Sequence, residues 1–166
     1  MSKNYYSLGL MSGTSMDGVD ASIIYSDGTS KYKAILNKYF VYNKDFYQDL
    51  TSLRDKINSS KDLKRLSNDL KSIEKEITLF HAKVVNELIR ESNVDIDFIG
   101  FHGQTIFHNA DQKISRQLGD GKLLSQLTKK TVVYDFRQND LKNGGHGAPL
   151  APIFHQLIVK QNKIDL

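Results

Sequence analysis

The chain has 166 residues, 39% hydrophobic and 25% charged, with 11 glycines and two prolines, the composition of one globular domain able to bury a core. It has no cysteine, which excludes disulfides, cysteine-ligated zinc and a thiol nucleophile and suits a cytoplasmic protein. The net charge is +4, but the lysines between positions 44 and 91 alternate with acids and no apolar run approaches about 18 residues, so neither a nucleic-acid nor a membrane partner is expected.

Three apolar, β-prone runs open the chain: Tyr5 to Met11, Val19 to Tyr25 and Tyr32 to Tyr42. The first is too short for the apolar part of a signal peptide and passes at once into Ser12-Gly13-Thr14-Ser15, so it reads as a strand. The joints between the runs are rich in Gly, Ser and Asp, which predicts a three-stranded antiparallel meander. A weak helical pattern covers Lys44 to Ile57. Then Leu63, Leu66, Leu70, Ile73, Ile77, Phe80, Val84 and Leu88 recur every three or four residues and mark one helix stripe, with Ser59 and Asp62 as a capping box before it.

Val94 to Phe101 reads as a buried strand ending at Gly100-Phe101-His102-Gly103, followed by a polar stretch from Asn109 to Ser115. Gly121 to Lys130 suits a short helix and Thr131 to Phe136 another strand. Asn143 to Gly147 reads as a loop, and Pro149 as the first-turn residue of a helix running to about Lys160. The order β-β-β-α-β-α-β-α predicts an α/β fold, the ribonuclease-H-like domain of actin-like ATPases and sugar kinases.

Three segments carry candidate chemistry. The first joint, Ser12 to Gly18, holds two glycines, three hydroxyls and an acid, and Asp20 follows closely, so that the candidate string is Gly13-Thr14-Ser15-Met16-Asp17-Gly18-Val19-Asp20. Amides and hydroxyls in such a turn can cradle phosphate oxygens, and Asp17 or Asp20 can hold a magnesium ion. The bland alternative is an ordinary polar hairpin. The second segment is Gly100-Phe101-His102-Gly103-Gln104-Thr105, at a strand's carboxyl end where ligands gather in open α/β sheets. His102, Gln104 and Thr105 suit sugar hydroxyls; a satisfied strand-end turn, or a metal shared by His102 and His108, are the alternatives. His81 lies on the apolar stripe and reads as a packed core histidine. The third segment runs from Asp135-Phe136-Arg137-Gln138-Asn139-Asp140 to Gly144-Gly145-His146-Gly147. There Arg137 could grip an anionic ligand or pair internally to hold the loop.

Together these strings resemble the anhydro-N-acetylmuramic acid kinase family. The resemblance rests on Gly9 to Asp20, on His102-Gly103-Gln104-Thr105 with His108, on Gln117-Leu118-Gly119-Asp120, and on Val133 to Pro149 with Phe154-His155. It implies a cytoplasmic enzyme of cell-wall recycling. Such an enzyme uses Mg-ATP and water to open the 1,6-anhydro ring and release N-acetylmuramate 6-phosphate. It further implies that Gly13 to Asp20 form the ATP phosphate loop, that His102, Gln104, Thr105, Arg137 and Asp140 lie on the sugar side, and that a homodimer is the expected assembly.

Two departures stand out. Gln138 and Asn139 replace arginines common in the family's Asp-Phe-Arg-Arg-Arg-Asp, and His146 replaces a glutamine. Family members are also roughly twice as long, with their catalytic aspartate in an Asp-Thr-Gly-Pro-Gly-Asn string that does not occur in these residues. The expectation is therefore a single amino-terminal kinase domain over residues 1–166, without the second domain and with little or no turnover alone. A ribonuclease-H-like nuclease using Asp17, Asp20, Asp97 and Asp135, and a non-catalytic sugar- or nucleotide-binding module, are the rival expectations.

Overall fold

A computed structural model describes residues 3–163. The chain forms β1 (Tyr5–Ser12), β2 (Gly18–Ser26), β3 (Tyr32–Val41), α1 (Lys44–Asp55), α2 (Ser60–Arg65) and α3 (Ser67–Ser92). There follow β4 (Phe98–Asn109), β5 (Ile114–Leu118), α4 (Gly121–Thr128), β6 (Thr131–Tyr134), α5 (Phe136–Lys142) and α6 (Pro152–Asn162). All strands join one six-stranded sheet. β1, β2 and β3 form the antiparallel meander, while β1 pairs β4 in parallel and β6 pairs β4 in parallel. β5 folds back antiparallel on the second half of β4.

One face of the sheet makes the core. Alternation in β1 and β2 turns Leu8, Leu10, Val19, Ala21 and Ile23 inward, where they meet Leu50 of α1 and Ile73, Ile77, Val85 and Leu88 of α3. Local chemistry places the helix ends. Asn43 Oδ1 accepts from the Phe46 amide at 2.8 Å to start α1. Asn93 closes α3 in the left-handed region with φ 53°, its amide donating to the Ile89 carbonyl. Asp120 starts α4 by accepting from the Lys122 and Leu123 amides.

Several expectations need correcting. The apolar stripe is split: Leu66 (φ −97°, ψ 20°) separates α2 from α3, and the Ser59–Asp62 box caps only α2, with Asp62 accepting from the Ser59 amide at 2.9 Å. The stripe crosses the break unbroken because Leu66 is buried on the same side. The strand expected to stop at Phe101 continues to Asn109, and the polar stretch after it turns into β5. Pro149 lies in the loop, after a cis Ala148–Pro149 bond, and the proline in the first turn of α6 is Pro152. Asp135 and Phe136 leave β6 for an unanticipated short helix, α5.

Candidate functional site

The parallel strands β1 and β6 flank β4 on its two edges and end near the same level, at Ser12↔Gln104 and Tyr134↔Phe101. The sequence-predicted residues gather at this level in two groups.

The first group is the loop between β1 and β2. It closes through the Met16 amide to the Gly13 carbonyl at 3.2 Å. Met16 adopts φ 59° and buries its side chain in the core, 2% exposed, so the loop is pinned from beneath. Gly18 is required by close approach, because a Cβ there would lie 2.3 Å from the Phe40 carbonyl. Thr14, Ser15, Asp17 and Asp20 are exposed, whereas Met16 and Val19 face the core. Only the backbone of those two can meet a ligand. The Ser15 hydroxyl donates to Asp17 Oδ1 at 2.5 Å, and this bond, with one from Tyr39, holds the Asp17 carboxyl below its ordinary pKa. An ionised oxygen donor suits a hard cation. Among the described residues, no group of three or more His, Cys, Asp or Glu side chains surrounds a common point.

Gln104 belongs to this group from behind. Its side chain has no exposed surface, its Oε1 takes the Ser12 hydroxyl and its Nε2 donates to the Gly13 carbonyl at 2.9 Å. In this structure its buried side chain holds the loop. The Thr105 hydroxyl accepts from Gln117 Nε2 at 3.2 Å across the β4–β5 pair.

The second group is a clamp on the glycine loop. The Arg137 guanidinium donates to His102 Nε2, at 3.2 Å from Nε and 3.0 Å from Nη2, and to the Gly147 carbonyl at 2.7 Å. Asp140 Oδ2 accepts from the Gly147 amide at 2.7 Å, so both polar groups of Gly147 are gripped. A cation donating to Nε2 requires a lone pair there, and Nδ1 lies 2.9 Å from the Gly103 carbonyl. These contacts assign a neutral imidazole protonated at Nδ1. Burial lowers the His102 pKa, the Gly103 bond opposes this, and the Arg137 charge lowers it further. The Nε2 lone pair a metal would need is thus taken by Arg137. His108 instead lies 3.0 Å from the Ser115 hydroxyl.

The two arginine replacements have distinct surroundings. Gln138 donates to the Ser115 carbonyl at 2.9 Å and ties α5 to β5. Asn139 and His146 are exposed.

The four acids of the nuclease alternative do not assemble. Asp97 precedes β4 and accepts from the Tyr6 amide at 2.9 Å, at the opposite end of β1 from the loop. Six residue steps along β1 separate Tyr6 from Ser12, about 20 Å.

Two residues of the site were not anticipated. Tyr39 of β3 pairs directly with Asp20 of β2 and lies beside Gly18 and Asp17; burial, then Asp17, push its pKa up to about 12. Tyr42 lies behind the loop, its amide donating to the Asp17 carbonyl at 2.8 Å. Strand pairing alone brings them there, and β-alternation along Tyr39 to Tyr42 was the only signal. A cavity of about 780 Å³ lies on the open sheet face, between Asp20, Ser22, Asn37 and Tyr39 of the strands and Phe136 and Phe154 of the helices. Of the loop residues only Asp20 reaches it.

The mixed sheet flanked by helices, with a glycine–hydroxyl loop in its first hairpin, is consistent with the α/β fold of actin-like ATPases and sugar kinases. Within that class, the family profile of anhydro-N-acetylmuramic acid kinase matches residues 5–165, and the chain belongs to that family. It is 64% identical over 165 residues to the anhydro-N-acetylmuramic acid kinase of Pelagibacter ubique (strain HTCC1062), covering 99% of this chain and 44% of that protein. It is 38% identical over 154 residues to the enzyme of that name from Agrobacterium fabrum (strain C58 / ATCC 33970), covering 91% of this chain and 41% of the relative. The Brucella canis relative is 38% identical over 162 residues, 96% of this chain and 43% of its own length. The chain thus spans less than half the length of these relatives. Among the described residues no helix is long and apolar enough to cross a membrane.

Proposed function

We propose that this chain supplies the phosphate loop and part of the sugar site of a cytoplasmic, ATP-dependent anhydro-N-acetylmuramic acid kinase. The observation that carries the reading is the loop of residues 13–18. Its Gly13, Asp17 and Gly18 carbonyls are tied inward, while the Thr14 and Ser15 amides have no acceptor among the described residues. Free amides and hydroxyls at the end of a hairpin suit phosphate oxygens. Asp17 and Asp20 would hold Mg2+, which neutralises phosphate charge when bound.

In the reaction, water adds to the anomeric carbon of the 1,6-anhydro sugar and loses its proton to a base. The C1–O6 bond breaks, and O6 attacks the γ-phosphorus as ADP leaves. Positioning and charge neutralisation do most of this work. On this reading, Arg137 and His102 face the sugar side and Asp140 sets the glycine loop around it. The base is expected in the Asp-Thr-Gly-Pro-Gly-Asn string of the family, which these residues lack. The 166 residues alone are therefore expected to bind but not to turn over.

An NMR titration of the 166-residue chain tests this. Mg-ATP should shift the amides of Gly13 to Asp20, and anhydro-N-acetylmuramate those around His102 and Arg137. A folded chain whose loop amides stay fixed at millimolar Mg-ATP would refute the phosphate-loop assignment.

A further inference from the structure

Directly behind the loop lies a line of three buried polar side chains with no place in the proposed chemistry. Ser12, Tyr42 and Gln104 are 1%, 4% and 0% exposed. The Tyr42 hydroxyl donates to Ser12 Oγ at 3.1 Å, and Ser12 Oγ donates to Gln104 Oε1 at 2.5 Å. The Gly18 carbonyl, 3.0 Å from Ser12 Oγ, is a second neighbour of the same proton. Gln104 Nε2 donates to the carbonyls of Gly13 at 2.9 Å and Thr105 at 3.2 Å. The amide orientation is not ambiguous: carbonyls only accept, so the nitrogen must face them and the oxygen must face Ser12.

This line joins three elements. Ser12 ends β1, Gln104 sits in β4 and Tyr42 follows β3. Its consequence for the loop is geometric. In a trans peptide the carbonyl and the following N–H point in opposite directions. Holding the Gly13 carbonyl against Gln104 therefore turns the Thr14 N–H away from the buried cluster. The Tyr42 amide holds the other end of the loop through the Asp17 carbonyl at 2.8 Å.

We propose that Gln104 and Tyr42, linked through Ser12, are positioning residues that aim the Thr14 and Ser15 amides at a phosphate without touching it. The proposal rests on reading residues 13–18 as an anion loop. It reassigns Gln104 from the sugar to the nucleotide side, as a support. Buried groups fully committed to one another hold their geometry more tightly than an exposed turn can, because breaking any link leaves a partner unsatisfied.

Tyr42→Phe removes one oxygen and keeps the ring that packs edge-on against Phe46 and Phe80. Gln104→Leu removes the central amide. Val85→Ala, in the core away from the loop, controls for general loss of stability. The measurements, on the 166-residue chain, are the backbone order parameters of residues 13–17, exchange of the Met16 and Tyr42 amides, and Mg-ATP affinity by titration.

Tyr42→Phe should lower the order parameters across 13–17, speed exchange at Met16 and weaken Mg-ATP binding by about tenfold, the effect of roughly one lost hydrogen bond. Val85→Ala should leave loop order and binding unchanged. Unaltered loop order in Tyr42→Phe overturns the proposal, whether or not nucleotide binds and even if Gln104→Leu does not fold. Equal weakening of binding in Val85→Ala overturns it too. Absence of Mg-ATP binding in the parent chain defeats the nucleotide reading instead, and the order parameters still decide whether the cluster anchors the loop.

Discussion

Replacing His81 with leucine should remove the stability loss that this residue causes as pH falls from about 6.5 toward 4. His81 lies on α3 with no exposed surface, its ring edge-on to Phe101 at 4.9 Å. Its Nδ1 is 2.7 Å from the Ile77 carbonyl, which makes Nδ1 the donor, and among the described residues its Nε2 has no partner. Charging the ring would bury an unpaired cation. Burial therefore pushes its pKa down from 6.5 to about 4, against a smaller upward pull from the Ile77 carbonyl. Between those values the unfolded chain binds a proton and the folded chain does not. Stability thus rises with pH through that window; His81 costs nothing well above 6.5, and the loss grows as pH falls toward 4.

One pH unit corresponds to about 1.4 kcal/mol, so the roughly 1.5 units from 6.5 to pH 5 remove about 2 kcal/mol. Urea unfolding of the parent chain and His81→Leu at pH 7.5 and pH 5 checks this. The difference between the two proteins should change by about 2 kcal/mol in favour of leucine at the lower pH, since other titrating groups are common to both. At pH 7.5 the substitution should cost little, because leucine fills much of the same apolar space. If both proteins lose the same stability between the two pH values, the buried neutral histidine is not the origin of the pH dependence.

Gly18→Ala should destabilise the chain by about 2 kcal/mol, since the new Cβ meets the Phe40 carbonyl at 2.3 Å and backbone must move. Gly9→Ala should be tolerated, its nearest neighbour being 4.0 Å away; thermal denaturation of the two compares them directly. Arg137→Ala releases His102 Nε2 and the Gly147 carbonyl. The His102 pKa should rise while staying below its ordinary value, because burial remains, and amides of residues 143–147 should exchange faster. Both are read by NMR, and an unchanged His102 titration would count against the clamp.

Much of the frame was legible before the structure. β1, β2 and β3 stand where alternating apolar runs and Gly/Ser/Asp joints put them, because a strand that buries one face must alternate and the chain must turn between strands. The stripe likewise marked a helical segment, since its apolar residues recur on one face, but not the break at Leu66 that divides it into α2 and α3. β5 was not legible: Ile114-Ser115-Arg116-Gln117-Leu118 is mostly polar, and its side chains are satisfied by His108 and Thr105 across the β4–β5 pair and by Glu74 of α3. α5 is too short and polar for periodicity to reveal it.

The residue types of the candidate site were visible as local strings, because a loop that must turn tightly and face water is written in glycines, hydroxyls and acids. Their division of labour was not. Gln104 looked like a sugar ligand in His-Gly-Gln-Thr, yet its place opposite Ser12 buries it. Arg137 and His102, 35 positions apart, meet because β6 pairs with β4 and hands the chain to α5. Tyr39 reaches the loop through the β2–β3 register, and Tyr42, just past β3, through its bonds to the Asp17 carbonyl and Ser12. Composition and spacing therefore determined which groups were available, since those are properties of short segments. Whether each group faces solvent, the core or another side chain depended on strand pairing between distant segments, which only the tertiary structure decides.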